Sequence, residues 1–307
     1  MFIGIDVSKD RLDIHLCPGG EAFAVPRDGE GLAELVRRLE AVSAELVVLE
    51  ATGGFETVVA AALAAAGLPL AVVNPRQIRD FARATGRLAK TDRLDAAVIA
   101  RFAEAIRPEP RPVPTEEAQA LGELVARRRQ VVETMVAERN RRRHLTQPRL
   151  LKGVDRVLAV LQAQLSEIEA DIDDAIRQTP AWRDKEDLLR TVPGIGPATA
   201  RTLIAELPEL GSLDRRRIAS LVGLAPMNRD SGTLRGRRTI TGGRSTVRSA
   251  LFMSIMVALR HKLPLQATYE RLRHAGKPPK VAIVACMRKL LTIANAIIRD
   301  KQPWQPA

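Results

Sequence analysis

Four prolines at alternate positions, Pro108, Pro110, Pro112 and Pro114, cut the chain in two. Proline fixes φ and removes a backbone donor, so this spacing resists helix and inner strand and favours an extended linker. A segment of that kind cannot run through a packed core. The 307 residues must therefore build separate bodies on either side of it, and the chain is long enough for two or three. The spacing predicts a domain over residues 1–107, a linker and helical arm over 108–180, and a third region over 181–307.

Before the prolines, strand and helix patterns alternate. Phe2–Asp6 is a short apolar strand. In Arg11–Cys17, Leu12, Ile14 and Leu16 alternate with polar residues, the period of a strand with one buried face. Pro18-Gly19-Gly20 makes a hairpin-type turn into a third strand, Ala22–Val25. Leu32, Leu35, Val36 and Leu39 mark an amphipathic helix. Leu46–Glu50 is a buried strand, followed by a helix through Ala66. Leu70–Val73 is a further strand, stopped by Asn74-Pro75, and two helices follow over Gln77–Ala84 and about Asp92–Ala105. Three strands in hairpin order, then helix, strand, helix, strand and helix, is the order of a ribonuclease-H-like α/β domain.

After the prolines the pattern becomes helical. Leu121, Leu124, Val125, Val131, Val132, Met135 and Val136 form one stripe. Pro148 and Gly153 interrupt it, and Val157, Leu158, Leu161, Leu165, Ile168, Ile172 and Ile176 form a second. Two long helices with a short break read as an antiparallel hairpin or coiled-coil arm, able to hold dimer contacts or to pack on its own chain. Arg127, Arg128, Arg129, Arg139, Arg141, Arg142 and Arg143 lie on its first helix. Singly these would be solvated; together they favour a phosphate or RNA contact. Residues 181–307 read as mainly helical.

The formal net charge is +12 and the pI about 10.5. A polyanionic partner follows, nucleic acid ahead of a membrane surface. With only 3% aromatic residues, a base-stacking platform is disfavoured. Cys17 and Cys286 lie far apart, and His15, His144, His261 and His274 show no ligand spacing, so zinc is disfavoured and a reduced, cytoplasmic, nucleoid-associated setting is expected. Met1 runs directly into a strand pattern, so no secretory signal is expected. The apolar stretch Val58 to Val73 is broken by Gly67 and Pro69, so no membrane span is expected.

Three motifs carry chemistry. Asp6 and Glu50 end apolar strands, and Asp92 and Asp95 share one helix face. If the strands are adjacent, the four acids converge. Clustered carboxylates are costly without cations, and magnesium takes oxygen ligands. Two such ions about 3.5–4 Å apart can clamp both oxygens of a phosphodiester displacement. Taken alone, Asp92-x-x-Asp95 reads first as a helix cap. The second motif, Leu188 to Ala200 with Gly194 and Gly196 between two helices, looks like a helix-hairpin-helix whose backbone approaches phosphate. The third places Ser231 in a loop with Arg235, Arg237, Arg238 and Arg244. Locally Ser231-Gly232 reads as a turn, and no Ser-His-Asp spacing supports a hydrolase triad.

Taken in order, Gly4-Ile5-Asp6, Glu50-Ala51-Thr52-Gly53, Asn74-Pro75, Lys90-Thr91-Asp92-x-x-Asp95-Ala96, Pro193-Gly194-Ile195-Gly196 and Ser231-Gly232 resemble a DEDD transposase of bacterial insertion sequences, related to the Piv/MooV DNA invertases. The resemblance covers nearly the whole chain. It implies a RuvC-like N-terminal domain, a coiled-coil arm and a C-terminal transposase domain. It implies magnesium on Asp6, Glu50, Asp92 and Asp95, and attack on DNA by Ser231 through a transient phosphoserine. It also implies a bridge RNA pairing with donor and target DNA, and a dimer or tetramer on double-stranded DNA. A structure-specific nuclease of the junction-resolvase type, using activated water, stays open, as does an invertase without an RNA guide.

Overall fold

The computed structural model describes residues 1–86, 92–110, 114–228, 230–236, 238–261 and 264–305, and omits the side chains of 92–94 and 234. It resolves into two compact units, Met1–Pro114 and Thr115–Ala307.

The first unit is built on a mixed sheet. Its strands are β1 (Phe2–Val7), β2 (Arg11–Cys17), β3 (Ala22–Pro26), β4 (Leu46–Glu50) and β5 (Leu70–Val73), in the order β3-β2-β1-β4-β5. β1 to β3 pair antiparallel, whereas β1, β4 and β5 run parallel. The helices are α1 (Gly29–Ala41), α2 (Phe55–Ala65), α3 (Pro75–Ala84) and α4 (Asp92–Ile106). Asp28 caps α1 by accepting from the Gly31 amide at 2.8 Å, and Asn74 caps α3 ahead of Pro75.

Side-chain alternation divides the sheet into two buried faces. Ile3, Ile5, Leu12, Ile14, Val47 and Leu49 point to one face with Leu35, Leu39, Val59 and Leu63 of α1 and α2. Phe2, Val48, Ala71 and Val73 point to the other with Ile99, Ala100, Phe102 and Ala103 of α4. Each fully buried aliphatic side chain contributes about 1.5–3 kcal/mol. β1 and β4 are accordingly apolar on both faces, and acids enter them only toward their ends.

The second unit is mainly helical. α5 (Glu116–Arg142) and α6 (Pro148–Gln178) form a hairpin. Arg142 meets Asp155 near the turn and Arg128 meets Glu169 farther away, so the helices run antiparallel. α7 (Pro180–Arg190), α8 (Pro197–Glu206), α9 (Arg215–Val222), α10 (Ser245–Arg260), α11 (Leu265–His274) and α12 (Pro279–Asp300) pack behind them. The two-residue strands β6 (Asp230–Ser231) and β7 (Leu234–Arg235) interrupt the helices. Among the described residues α12 is the one helix long and apolar enough to cross a membrane. Its Cys286, Leu290, Leu291 and Ala294 are buried in the core of this unit beside Leu189, Leu203, Ile218 and Leu251.

Arg201 of α8 reaches both Glu186 of α7, at 3.0 Å, and Asp173 of α6. Thr199 and the buried Ser254 share a hydroxyl hydrogen bond of 2.8 Å, tying α8 to α10. These bonds satisfy polar groups that burial would otherwise leave costly.

Candidate active site and nucleic-acid interface

The acids of the first unit are placed by one glycine. Gly4 stands opposite Val48 in the parallel β1–β4 pair. A methyl group on Gly4 would fall within 3 Å of the Ala100 nitrogen, the Ala96 oxygen and the Ile99 carbonyl carbon, so the α4 backbone lies directly on β1. The period of two sets Asp6 on the same face as Gly4, and Glu50 on the same face as Val48. That is the α4 face.

The direction of α4 follows from its other end. Arg107 stacks on the Phe2 ring at 4.9 Å and pairs with Glu45 at 3.2 Å, near the start of the sheet. The first turn of α4, with Asp95, is therefore at the Asp6 end. Asp6, Glu50 and Asp95 are half-buried, and each has interactions within the chain. The positive end of the helix dipole eases the gathering of negative charge there. Asp92 begins α4, but its side chain lies outside the described residues, as do Lys90 and Thr91. Among the described residues no three acids, histidines or cysteines stand close enough to form a metal-binding group. The donors are hard carboxylate oxygens, the type magnesium prefers.

The loop after Glu50 is rigidly shaped. Gly53 and Gly54 have φ of 78° and 117°. One Glu56 oxygen accepts from the Thr52 amide at 3.0 Å, the Thr52 hydroxyl at 3.2 Å and the Gly54 amide at 2.8 Å.

Register adds one acid that spacing alone does not reveal. Asp13 of β2 stands directly opposite Asp6 in the antiparallel pair, on the same face. It is buried, and Arg11 forks onto it with Nε at 3.0 Å and Nη2 at 2.7 Å. The fork neutralises a carboxylate beside the acid end of the sheet. Arg11→Ala should destabilise the first unit by about 1–3 kcal/mol, toward the low end because the Arg11 side chain is 62% exposed. Combining it with Asp13→Asn should cost less than the two single effects added, as denaturant midpoints would register.

The two thiols are poor nucleophiles. Burial, with the Glu104 carboxylate 3.2 Å away, pushes Cys17 above its ordinary pKa, and burial does the same to Cys286.

In the second unit Ser231 sits on a short ribbon. Asp230 pairs with Arg235 and Ser231 with Leu234, across a turn containing Gly232 at φ 56°. A further bridge joins Met227 to Thr239. Asp230, Ser231, Gly232, Arg235 and Arg238 are exposed, and Arg237 lies outside the described residues. The ribbon grows from a closed base. Gly223, at φ 75°, caps α9, and a methyl group there would fall within 3 Å of the Gly242 oxygen and of Nη1 of Arg248. One on Gly243 would fall within 3 Å of the Gly223 nitrogen. Arg248 donates to the Val222 oxygen at 2.9 Å and also to the Gly242 oxygen. Gly223→Ala should therefore cost about 1–3 kcal/mol through collision at a left-handed residue. Protease cleavage within residues 224–242 should quicken, and unchanged cleavage would contradict this account of the base.

The turn between α7 and α8 carries Gly194 at φ 99°, seated 3.3 Å from the Ala258 Cβ and the Ser254 oxygen by its own would-be Cβ. Gly196 is the N-cap of α8 and has open space around it.

Several arginines singled out by the sequence already hold partners. Arg244 forks onto Glu209 with two bonds of 2.6 Å and donates to the Glu206 oxygen at 2.8 Å. Arg128 reaches Glu169 at 2.6 Å, and Arg127 reaches Gln164 at 3.2 Å. Arg142 reaches Asp155 at 2.6 Å, and its guanidinium holds that carboxyl below its ordinary pKa. These partners lie on other elements, so local spacing could not reveal them.

A family model for DEDD transposases of the IS110 type matches residues 3–148, and one described as "Transposase IS116/IS110/IS902 family" matches residues 186–270. The pilin gene-inverting protein of Moraxella bovis is 28% identical over 313 residues, covering 99% of this chain and 97% of that protein. Its counterpart from Moraxella lacunata matches to the same extent. An uncharacterized 44.8 kDa protein of insertion element IS116 from Streptomyces clavuligerus is 32% identical over 149 residues, 47% of this chain and 36% of that protein. The first match runs from β1 through α5 to Pro148 and the second from α7 into α11, and these two transposase matches, in order along the chain, make it a DNA transposase or recombinase.

Proposed function

We propose that this protein cleaves and rejoins double-stranded DNA. Asp6, Glu50, Asp92 and Asp95 would bind magnesium, and Ser231 would be the nucleophile. The observation that carries the reading is the convergence of Asp6 and Glu50 on the α4 face of one sheet end, beside the first turn of α4 that bears Asp95. We read this unit as ribonuclease-H-like and of the RuvC type, and α7–α8 as a helix-hairpin-helix that touches phosphate through Gly194 and Gly196.

Bound magnesium supplies Lewis-acid polarisation of a phosphate oxygen and offsets developing charge. In this reading the carboxylates of Asp6, Glu50, Asp92 and Asp95 would hold the cation. The Ser231 hydroxyl attacks phosphorus as its proton is lost, the scissile P–O bond breaks, and the leaving oxygen takes a proton. The resulting phosphoserine diester conserves the bond energy for rejoining. Serine is weak at its ordinary pKa, so cationic neighbours must help. Arg235 and Arg238, exposed on and beside the ribbon, suit that role, with Arg237 between them in sequence.

Gene inversion, for which the Moraxella relatives are named, fits strand exchange at specific sites. We further propose a homo-oligomer on DNA, a coiled-coil arm that contributes to it, and a bridge RNA that supplies target choice. The arm arginines Arg127, Arg128 and Arg142 would then exchange some of their present partners for phosphate. The test is to trap DNA on the protein and map the adduct by mass spectrometry, with and without magnesium. An adduct on Ser231 that requires both the cation and Asp6 supports the reading; cleavage without any adduct overturns it.

A further inference from the structure

A strongly one-sided cluster of charge in the second unit lies some distance along the chain from the ribbon. Residues 271–280, Arg-Leu-Arg-His-Ala-Gly-Lys-Pro-Pro-Lys, contain four permanent cations and no acid. They form the end of α11 and the turn into α12. Arg271, Arg273, His274, Lys277 and Lys280 are all exposed. Among the described residues, none of the four cations has a carboxylate within ion-pair distance. The preceding acid, Glu270, accepts instead from Gln266 at 2.6 Å.

Four arginines elsewhere in the unit are held differently. Arg128, Arg142, Arg201 and Arg244 each face an acid. Like charges left together repel, and a surface of this kind draws a polyanion. The turn is also fixed in shape. The Gly276 amide bonds the Arg273 oxygen and the Lys277 amide bonds the Leu272 oxygen, which closes α11 by a Schellman motif with Gly276 at φ 76°. Nη1 of Arg273 then donates across the turn to the Lys277 oxygen at 2.5 Å. Pro278 and Pro279 stiffen the exit. Holding the cations on a preformed turn lowers the ordering cost of binding.

We propose that the α11–α12 turn is a contact surface for the phosphate backbone of duplex DNA. It positions the duplex without reading bases, since point charges on phosphates carry no sequence information. The proposal does not depend on Ser231 being the nucleophile.

The experiment uses the full chain and a triple variant, Arg271→Ala, Lys277→Ala and Lys280→Ala. Fluorescence anisotropy would follow binding to an element-end duplex and to a scrambled duplex of equal length across a salt series. We expect affinity to fall by about 10–100-fold on both duplexes, and the log–log salt slope to become shallower by about 0.9 for each phosphate no longer neutralised. Lys277→Arg with Lys280→Arg should keep the parent slope, and circular dichroism should show the parent fold in both variants. An unchanged slope in the triple variant would overturn the proposal. So would a loss confined to structured RNA with duplex binding intact, or a loss on one duplex only.

Discussion

Ser231→Ala should abolish the covalent protein–DNA adduct and slow strand cleavage by at least about 10³-fold. The substitution removes only an exposed hydroxyl from the ribbon, so stability should change by less than about 0.5 kcal/mol. The base that carries the ribbon, with Gly223, Gly243 and Arg248, is untouched. DNA affinity should therefore persist while chemistry is lost. Asp6→Asn provides the complementary result: cleavage lost, Ser231 present, and no response to added magnesium. Gel separation of adducts and a nicking assay on the same samples distinguish the mechanisms. Magnesium-dependent nicking that survives in Ser231→Ala would assign attack to water, as in a junction resolvase, and would end the serine reading.

What the sequence made legible was whatever rests on short-range pattern. The apolar runs ending in Asp6 and Glu50 read correctly as strands because burial on both faces leaves only their ends polar. The two compact units divide after Pro114, the last proline of the run. The ribbon around Ser231 was not legible as strand. Its paired segments are two residues each, too short for alternation to register. Asp13 stayed hidden because its neighbour Asp6 is seven residues away and meets it only through antiparallel register. Arg244 looked like a phosphate ligand beside glycines, yet Glu209, 35 residues earlier, holds it. In each case the missing information was a contact between elements. Periodicity reports which face is buried, but not which charge waits across the gap.

Gly4→Ala tests the acid site through its geometry. Overpacking a well-filled core costs typically about 1–3 kcal/mol, and side chains can often rotate to relieve it. Here the collision is with backbone atoms of Ala96, Ile99 and Ala100, which cannot rotate away. A loss on the order of 3 kcal/mol is therefore expected, near the top of that range. For a unit of this size it corresponds to a fall of about 10 °C in its melting temperature. Gly19→Ala is the matched control, because a methyl group there meets nothing within 4 Å, and it should be close to neutral. The second consequence separates position from stability. α4 can accept the methyl group only by moving off β1, which carries Asp95 away from Asp6 and Glu50. Magnesium-dependent cleavage by Gly4→Ala should then fall well below that of Gly19→Ala at a temperature where both variants are folded. Equal cleavage by the two variants would show that the approach of α4 to β1 does not set the acid site.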